Sequence, residues 1–249
     1  MKIKFIGTST YIPDIGQEVS SFIINDKVLV DTGWCSVLKM REFGCDPLNL
    51  KYLIITHLHQ DHYIGLPQLL FYFAIKKVTG YSIISPLTII GPSKYIRKVI
   101  DKSIEFLQIE RFPELSLDLN IIPLAPGDTY KEREFILNTF PAKHMSGRGI
   151  IEEAFVCNFT ETNTQKLISF TGDTSFEPKI ANFFKNTLLL IHDVSHSLPE
   201  EAAEIAKMAN AKRLYLIHYS ALTKEEILLK ARRVFPNSFL AKEGKLLEI

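Results

Sequence analysis

The chain has 249 residues, 46% of them hydrophobic and 23% charged, with a formal net charge of +1. That length suits one domain around a shared core, and the balance excludes a disordered chain. No apolar run reaches the ~18 residues of a membrane span. The small net charge gives no global footprint for nucleic acid and leaves room only for a local basic patch.

In chain order, runs rich in Val, Ile and Phe predict strands at Ile3–Ile6, Ser21–Ile24 and Val28–Val30. Apolar residues at i, i+3 or i+4 then predict a helix over Ser36–Phe43. A strand at Tyr52–Ile55, a helix over Pro67–Lys77, a strand at Leu87–Ile90 and a helix over Tyr95–Gln108 follow. Four strands are expected next, at Asn120–Pro123, Phe135–Phe140, Ala154–Phe159 and Leu167–Phe170. The last third alternates: helix Pro178–Phe184, strand Leu188–Ile191, helix Glu200–Ala209, strand Leu214–Ile217 and helix Lys224–Val234. Pro199 ahead of Glu200 and Glu201 suits a helix start, since the dipole favours acids in the first turn. The first half reads as strand-heavy with hairpins and the second as alternating strand and helix. The expected class is α/β, sheets covered by helices.

The histidines carry the chemistry. Of seven, three fall in the string His57-Leu58-His59-Gln60-Asp61-His62, directly after a strand and ahead of Gly65-Leu66-Pro67. At this chain's His and Asp frequencies, H-x-H-x-D-H arises by chance with a probability of roughly 2 in 10,000. In extended backbone His57 and His59 point to one side, and Asp61 and His62 come one bend later. Imidazole with carboxylate and no thiolate suits zinc, manganese or iron at a hydrolytic centre. Three further strands run into a candidate ligand: His144, Asp173 in Thr171-Gly172-Asp173-Thr174, and His218 in His218-Tyr219-Ser220. A histidine after a strand is by itself more often a surface residue. Sites in layered α/β folds gather at the carboxyl ends of strands, however, so these can converge with the first string.

These motifs resemble the metallo-β-lactamase superfamily, and within it the ribonuclease Z-like branch. The opening Phe5-Ile6-Gly7-Thr8-Ser9-Thr10, Val30-Asp31-Thr32-Gly33, Pro86 through Pro92 and Leu216-Ile217-His218-Tyr219-Ser220 are similar to that branch's phrases, and coverage is residues 1–249. The resemblance implies a single domain, an αββα sandwich of two mixed sheets flanked by helices, with a dinuclear site at one sheet edge. It assigns His57, His59 and His144 to one metal and Asp61, His62 and His218 to the other, with Asp173 bridging. Asp31 is implied as a support behind a ligand histidine or the loop; its competing reading is a turn residue before Gly33. The cofactors implied are two divalent ions, zinc first and manganese or iron next.

The reaction expected is attack by a metal-bound hydroxide, most simply on a phosphodiester, with Asp61 both ligating and orienting the nucleophile. No G-x-S-x-G occurs and no cysteine has a histidine near it in sequence, so covalent catalysis is not indicated. Two histidines remain, in His192-Asp193-Val194-Ser195-His196-Ser197. The related branch has a His-Glu-Ala-Thr segment, a loop and then a His-Ser-Thr segment. Here the loop is deleted and Asp193 replaces Glu. By position His196 matches the family's proton donor, and its competing reading is a surface histidine near a helix start. His192 reads as structural, and Asp193 as a carboxylate behind the site.

A second departure concerns substrate. Transfer RNA-maturing relatives carry a long arm between the residues matching His144 and Asp173, a stretch filled here by one strand pair. The Arg-Tyr pair usual after His218 is also missing. The expected partner is therefore a small or single-stranded phosphodiester, with dedicated transfer RNA processing disfavoured, no membrane, and a homodimer left open. The alternatives are a thioester or lactone hydrolase of the same fold and a non-catalytic binding member. A redox di-iron protein is disfavoured because all three loop histidines are kept. Cys35, Cys45 and Cys157 lie far apart with no C-x-x-C. Reduced thiols, with an N-terminus that turns polar early, point to the cytoplasm.

Overall fold

The computed structural model describes residues 1–83, 86–144, 153–220 and 224–249. Two seven-stranded mixed sheets pack face to face. The first is built from β1 (Lys2–Gly7), β2 (Ser21–Ile24), β3 (Val28–Val30), β4 (Tyr52–Ile54), β5 (Leu87–Pro92), β6 (Leu119–Leu124) and β14 (Leu246–Glu248). Its spatial order is β14-β1-β2-β3-β4-β5-β6. The second contains β7 (Thr129–Lys131), β8 (Phe135–Pro141), β9 (Phe155–Glu161), β10 (Leu167–Phe170), β11 (Leu189–Asp193), β12 (Leu214–Ile217) and β13 (Ser238–Leu240). These lie in the order β13-β12-β11-β10-β9-β8-β7.

Each sheet has the same plan, an antiparallel part followed by a parallel one. β1, β2 and β3 pair as hairpins, and β3 through β6 then run parallel. In the second sheet β7 to β10 are antiparallel, and β10 through β13 run parallel. Strand–helix alternation thus occurs in both halves, which corrects the expectation that it belongs to the second. Parallel neighbours need crossovers, and helices supply most of them. α1 (Ser36–Glu42), α2 (Leu66–Val78) and α3 (Ile96–Phe106) cover the first sheet; α4 (Pro199–Met208) and α5 (Lys224–Val234) cover the second.

Period-two patterning explains the layers. On β1, Ile3 and Phe5 face the core between the sheets, while Ile6 packs under the helices. On β12, Tyr215 and Ile217 face inward, while Leu214 and Leu216 meet α4 and α5. Six phenylalanines fill the inner core: Phe5, Phe22, Phe135, Phe155, Phe159 and Phe170. Burying each contributes about 1.5–3 kcal/mol, enough to hold locally strained backbone at the sheet edge.

The expected helix over Pro178–Phe184 is instead a 3-10 turn, Pro178–Asn182, closed by bonds from Phe183 N to Ile180 O and Phe184 N to Ala181 O. Its apolar residues are buried as expected, but the stretch ends at Asn186, whose φ is 61°. Three short strands, β7, β13 and β14, carry no alternation readable in advance. Among the described residues no helix is long and apolar enough to cross a membrane.

Candidate metal centre

The site forms where both sheets bring their strand ends to one edge. β3 delivers Asp31, β4 delivers His57, β8 delivers His144, β10 delivers Asp173, β11 ends on Asp193 and β12 delivers His218. Three of these exits bend into left-handed backbone: Asp31 at φ 56°, Gly172 at φ 54° and His218 at φ 63°. For the two non-glycine residues such geometry costs about 1–3 kcal/mol each and persists only where the surroundings enforce it. Gly172 is needed for a second reason, because a Cβ there would sit 2.7 Å from Thr56 Oγ1, beside the metal loop. At Gly65, after the loop, a Cβ would overlap the carbonyl of Gly33. The loop is therefore seated on the β3–α1 turn by direct backbone packing.

Within the loop, His59 is extended (φ −76°, ψ 144°) and Gln60–His62 turns as a 3-10 helix, the bend the spacing called for. The His57 ring lies 4.9 Å from that of His59 and 4.6 Å from that of His144. His59 Nδ1 and His144 Nε2 are 3.0 Å apart. His57, His59, His144 and Asp173 each offer one donor atom, all within 4.8 Å of one another. Asp61, His62 and His218 form a second such group. Asp173 touches both: Oδ2 lies 3.6 Å from His57 Nε2 and 3.4 Å from His62 Nε2, and Oδ1 lies 3.0 Å from His218 Nδ1. It also joins a third group with Asp193, His196 and His218. All seven residues expected as ligands are brought together.

Whether they fit metal is answered by the atoms left over. The Nε2 atoms of His57, His62 and His218 are buried with no hydrogen-bond partner. Buried polar atoms are normally satisfied. Three orphaned imidazole nitrogens converging with the carboxylates of Asp61 and Asp173 are the donor set of a divalent cation. The opposite nitrogens are tied from behind, as such ligands require. His62 Nδ1 donates to Asp31 Oδ2 at 2.8 Å, and Asp31 also accepts from Thr56 N at 2.8 Å and Thr56 Oγ1 at 2.9 Å. Asp31 thus holds both His62 and the loop. Asp193 does the same for the other sheet, with Oδ1 3.0 Å from His218 Nδ1 and Oδ2 3.1 Å from His196 Nδ1. It also accepts from Ser195 N at 2.8 Å.

His196 stands at the rim, its side chain about a third exposed, with its ring 5.0 Å from that of His144. His192 faces the other way, buried, with Nδ1 donating to the Asp193 carbonyl at 2.7 Å. Sequence reasoning missed Glu18, which is fully buried and accepts from the backbone of Val19, Trp34 and Cys35. A lone Glu in a polar loop gives no sequence signal; only the folded turn shows its partners.

The charges divide the imidazoles in two. Burial, with the neighbouring His62, holds His57 well below the usual histidine range. Burial also brings His144 down to about 4, with His59 and His196 adding to the effect. Burial pulls His62 and His218 down as well, but the carboxylates outweigh it and raise both: Asp173 and Asp31 for His62, Asp173 and Asp193 for His218. A ligating imidazole must be neutral. Adding zinc to chelated protein at pH 7 is therefore expected to release protons from His62 and His218 and none from His57 or His144. Affinity accordingly rises with pH. Calorimetry in buffers of different ionisation enthalpy measures the number; release near zero would contradict this division.

Fold and site define a metal-dependent hydrolase of the metallo-β-lactamase superfamily, similar to ribonuclease Z. Ribonuclease Z of Prochlorococcus marinus is 25% identical over 330 aligned positions, covering all of both chains. That of Bacillus cereus is 26% identical, covering 98% of each. Among solved structures, the metallo-β-lactamase fold protein YhfI of Bacillus subtilis superposes with a TM-score of 0.80 at 23% identity, covering 100% of this chain and 99% of its own. The short form of human tRNase Z gives 0.77 at 22%, with the same coverage. Residues 1–235 match the family described as Anti-Pycsar protein Apyc1, and the chain belongs to it.

Proposed function

We propose that residues 1–249 act as one domain that hydrolyses phosphodiesters at a pair of divalent ions, zinc foremost, in a cytoplasmic setting. The observation that carries this is the position of Asp173, 3.6 Å from His57 on one side and 3.4 and 3.0 Å from His62 and His218 on the other, with His196 at the open rim. His57, His59 and His144 would hold one ion and Asp61, His62 and His218 the other, with Asp173 on both. Ions held there would supply Lewis acidity at the scissile group and make water a nucleophile at neutral pH.

The chain's own residues supply the rest. Asp61 is held well below the carboxylate range, because the imidazoles of His218 and His62 outweigh the upward push of burial. As a carboxylate it can accept from the attacking water and orient it. His196 is raised, since its hydrogen bond to Asp193 and the charge of Asp173 outweigh burial. It can carry a proton to the leaving oxygen. The relatives named ribonuclease Z favour the phosphodiester over a thioester or lactone, and the matched family's description brings an anti-Pycsar role into the proposal. A small or single-stranded substrate is preferred to transfer RNA: the described part of the His144–Asp173 stretch is one antiparallel pair, β9 with β10, and residues 145–152 lie outside the described residues.

The test is metal analysis of purified protein together with rates on bis-p-nitrophenyl phosphate, a thioester and a lactone. About two ions per chain and activity confined to the diester support the proposal. Activity only on the thioester or lactone would replace it.

A further inference from the structure

We propose that Glu18 is a positioning residue for the second ligand group, Asp61, His62 and His218; this rests on the metal assignment above. Glu18 lies outside every motif that pointed to the site, yet it is fully buried. Its Oε1 accepts from Val19 N at 2.7 Å and Trp34 N at 2.8 Å, and its Oε2 accepts from Cys35 N. Its carbonyl accepts from both Thr8 N and Ser9 N at 2.9 Å, and its own N–H donates to Glu243 Oε1 at 2.7 Å. One residue therefore ties together the turn after β1, the turn after β3 and the segment leading to β14.

Two routes lead from these turns to the site. The first runs through the β3–α1 turn, where Gly33 lies so close to the Glu18 carboxylate that a Cβ would overlap it. In that turn Thr32 N donates to the His62 carbonyl at 2.9 Å and Asp31 holds His62 Nδ1, while Gly65 packs on the carbonyl of Gly33. The second route runs through Thr8, whose carbonyl accepts from Tyr219 N at 3.1 Å. Tyr219 directly follows His218, whose left-handed backbone needs an external hold. The routes start at one residue, the first at its carboxylate and the second at its backbone carbonyl, and lead to His62 and His218 on opposite sheets.

The first ligand group is anchored elsewhere. His57 hangs from β4, His144 from the end of β8, and His59 contacts His144. Glu18 reaches this group only indirectly, through Asp31 and Thr56. A buried residue serving stability alone would affect both groups equally. Glu18 should instead affect one.

The experiment is zinc titration of chelated protein, resolving the two binding steps, on wild type and Glu18→Gln. Reference variants His144→Ala and His218→Ala identify which step belongs to which group. The glutamine keeps the shape but sets an NH2 group against a backbone N–H, loosening the turn. The expected result is a loss of about 10–100-fold in the step that His218→Ala weakens, with the other step unchanged, and a fall in kcat with little change in KM. Equal weakening of both steps, no weakening, or weakening of the step that His144→Ala affects would overturn the proposal. Should Glu18→Gln not fold, Glu18→Asp, which keeps the charge and draws it back, takes the same test. A chain that folds with neither makes Glu18 a folding residue and overturns the proposal as well. Wild-type protein that takes up no pair of ions rejects the metal assignment itself, a result distinct from all of these.

Discussion

Replacing Asp173 with alanine is expected to lower hydrolysis of bis-p-nitrophenyl phosphate by more than about 10³-fold and to weaken both ions together. The reason is its position. Asp173 is buried between the groups, its oxygens 3.0 to 3.6 Å from nitrogens of His57, His62 and His218. The charges of His218 and His62 outweigh burial and keep its carboxyl well below the usual range, so it stays ionised. Two divalent ions about 3.5–4 Å apart repel strongly at low dielectric, and a shared carboxylate screens that repulsion. Asp173→Asn keeps the shape and removes the charge, which separates electrostatics from packing. Metal content and rate are measured on both variants. An asparagine variant with wild-type metal content and rate would show that the bridging charge is not needed.

His196→Ala is expected to cut the rate by roughly 10²–10⁴ on a diester with a poor leaving group, with metal content unchanged. His196 Nδ1 is held by Asp193 Oδ2 at 3.1 Å, which leaves Nε2 at the half-open rim for a leaving oxygen. Asp193 and His196 are three residues apart, so carboxylate and imidazole share a single turn. A p-nitrophenolate leaving group needs little protonation, so the loss should shrink on that substrate. The ratio of the losses on an alkyl diester and on a nitrophenyl diester is the measurement. A ratio near one would make His196 a positioning group, and a variant unaffected on both would make it a surface histidine.

The site was legible in the sequence because its signals are local. His57, His59, Asp61 and His62 share one loop, and their spacing alone sets two on one side and two across a bend. The strands ending in His144, Asp173 and His218 were legible for the same reason: apolar runs of period two stop at polar residues. Other features depend on contacts between distant parts of the chain. β14 pairs with β1, Leu247 beside Ile3, and a three-residue strand with two exposed positions has no pattern of its own. Pro178–Phe184 has helical spacing, but its backbone closes i to i+3 bonds and the chain turns away at Asn186. Asp193 was visible as a carboxylate near the site, while its simultaneous hold on His196 and His218 required β11 and β12 to be adjacent. Glu18 had no sequence signal, because its partners at Thr8, Trp34, Cys35 and Glu243 come from three separate segments. The sequence by itself determined the candidate ligand types and the strands that lead to them, since side-chain chemistry and periodicity are properties of neighbouring residues. Only the tertiary structure decided which carboxylates brace which imidazoles, since a buried polar atom takes its partner from whatever the packed sheets place beside it.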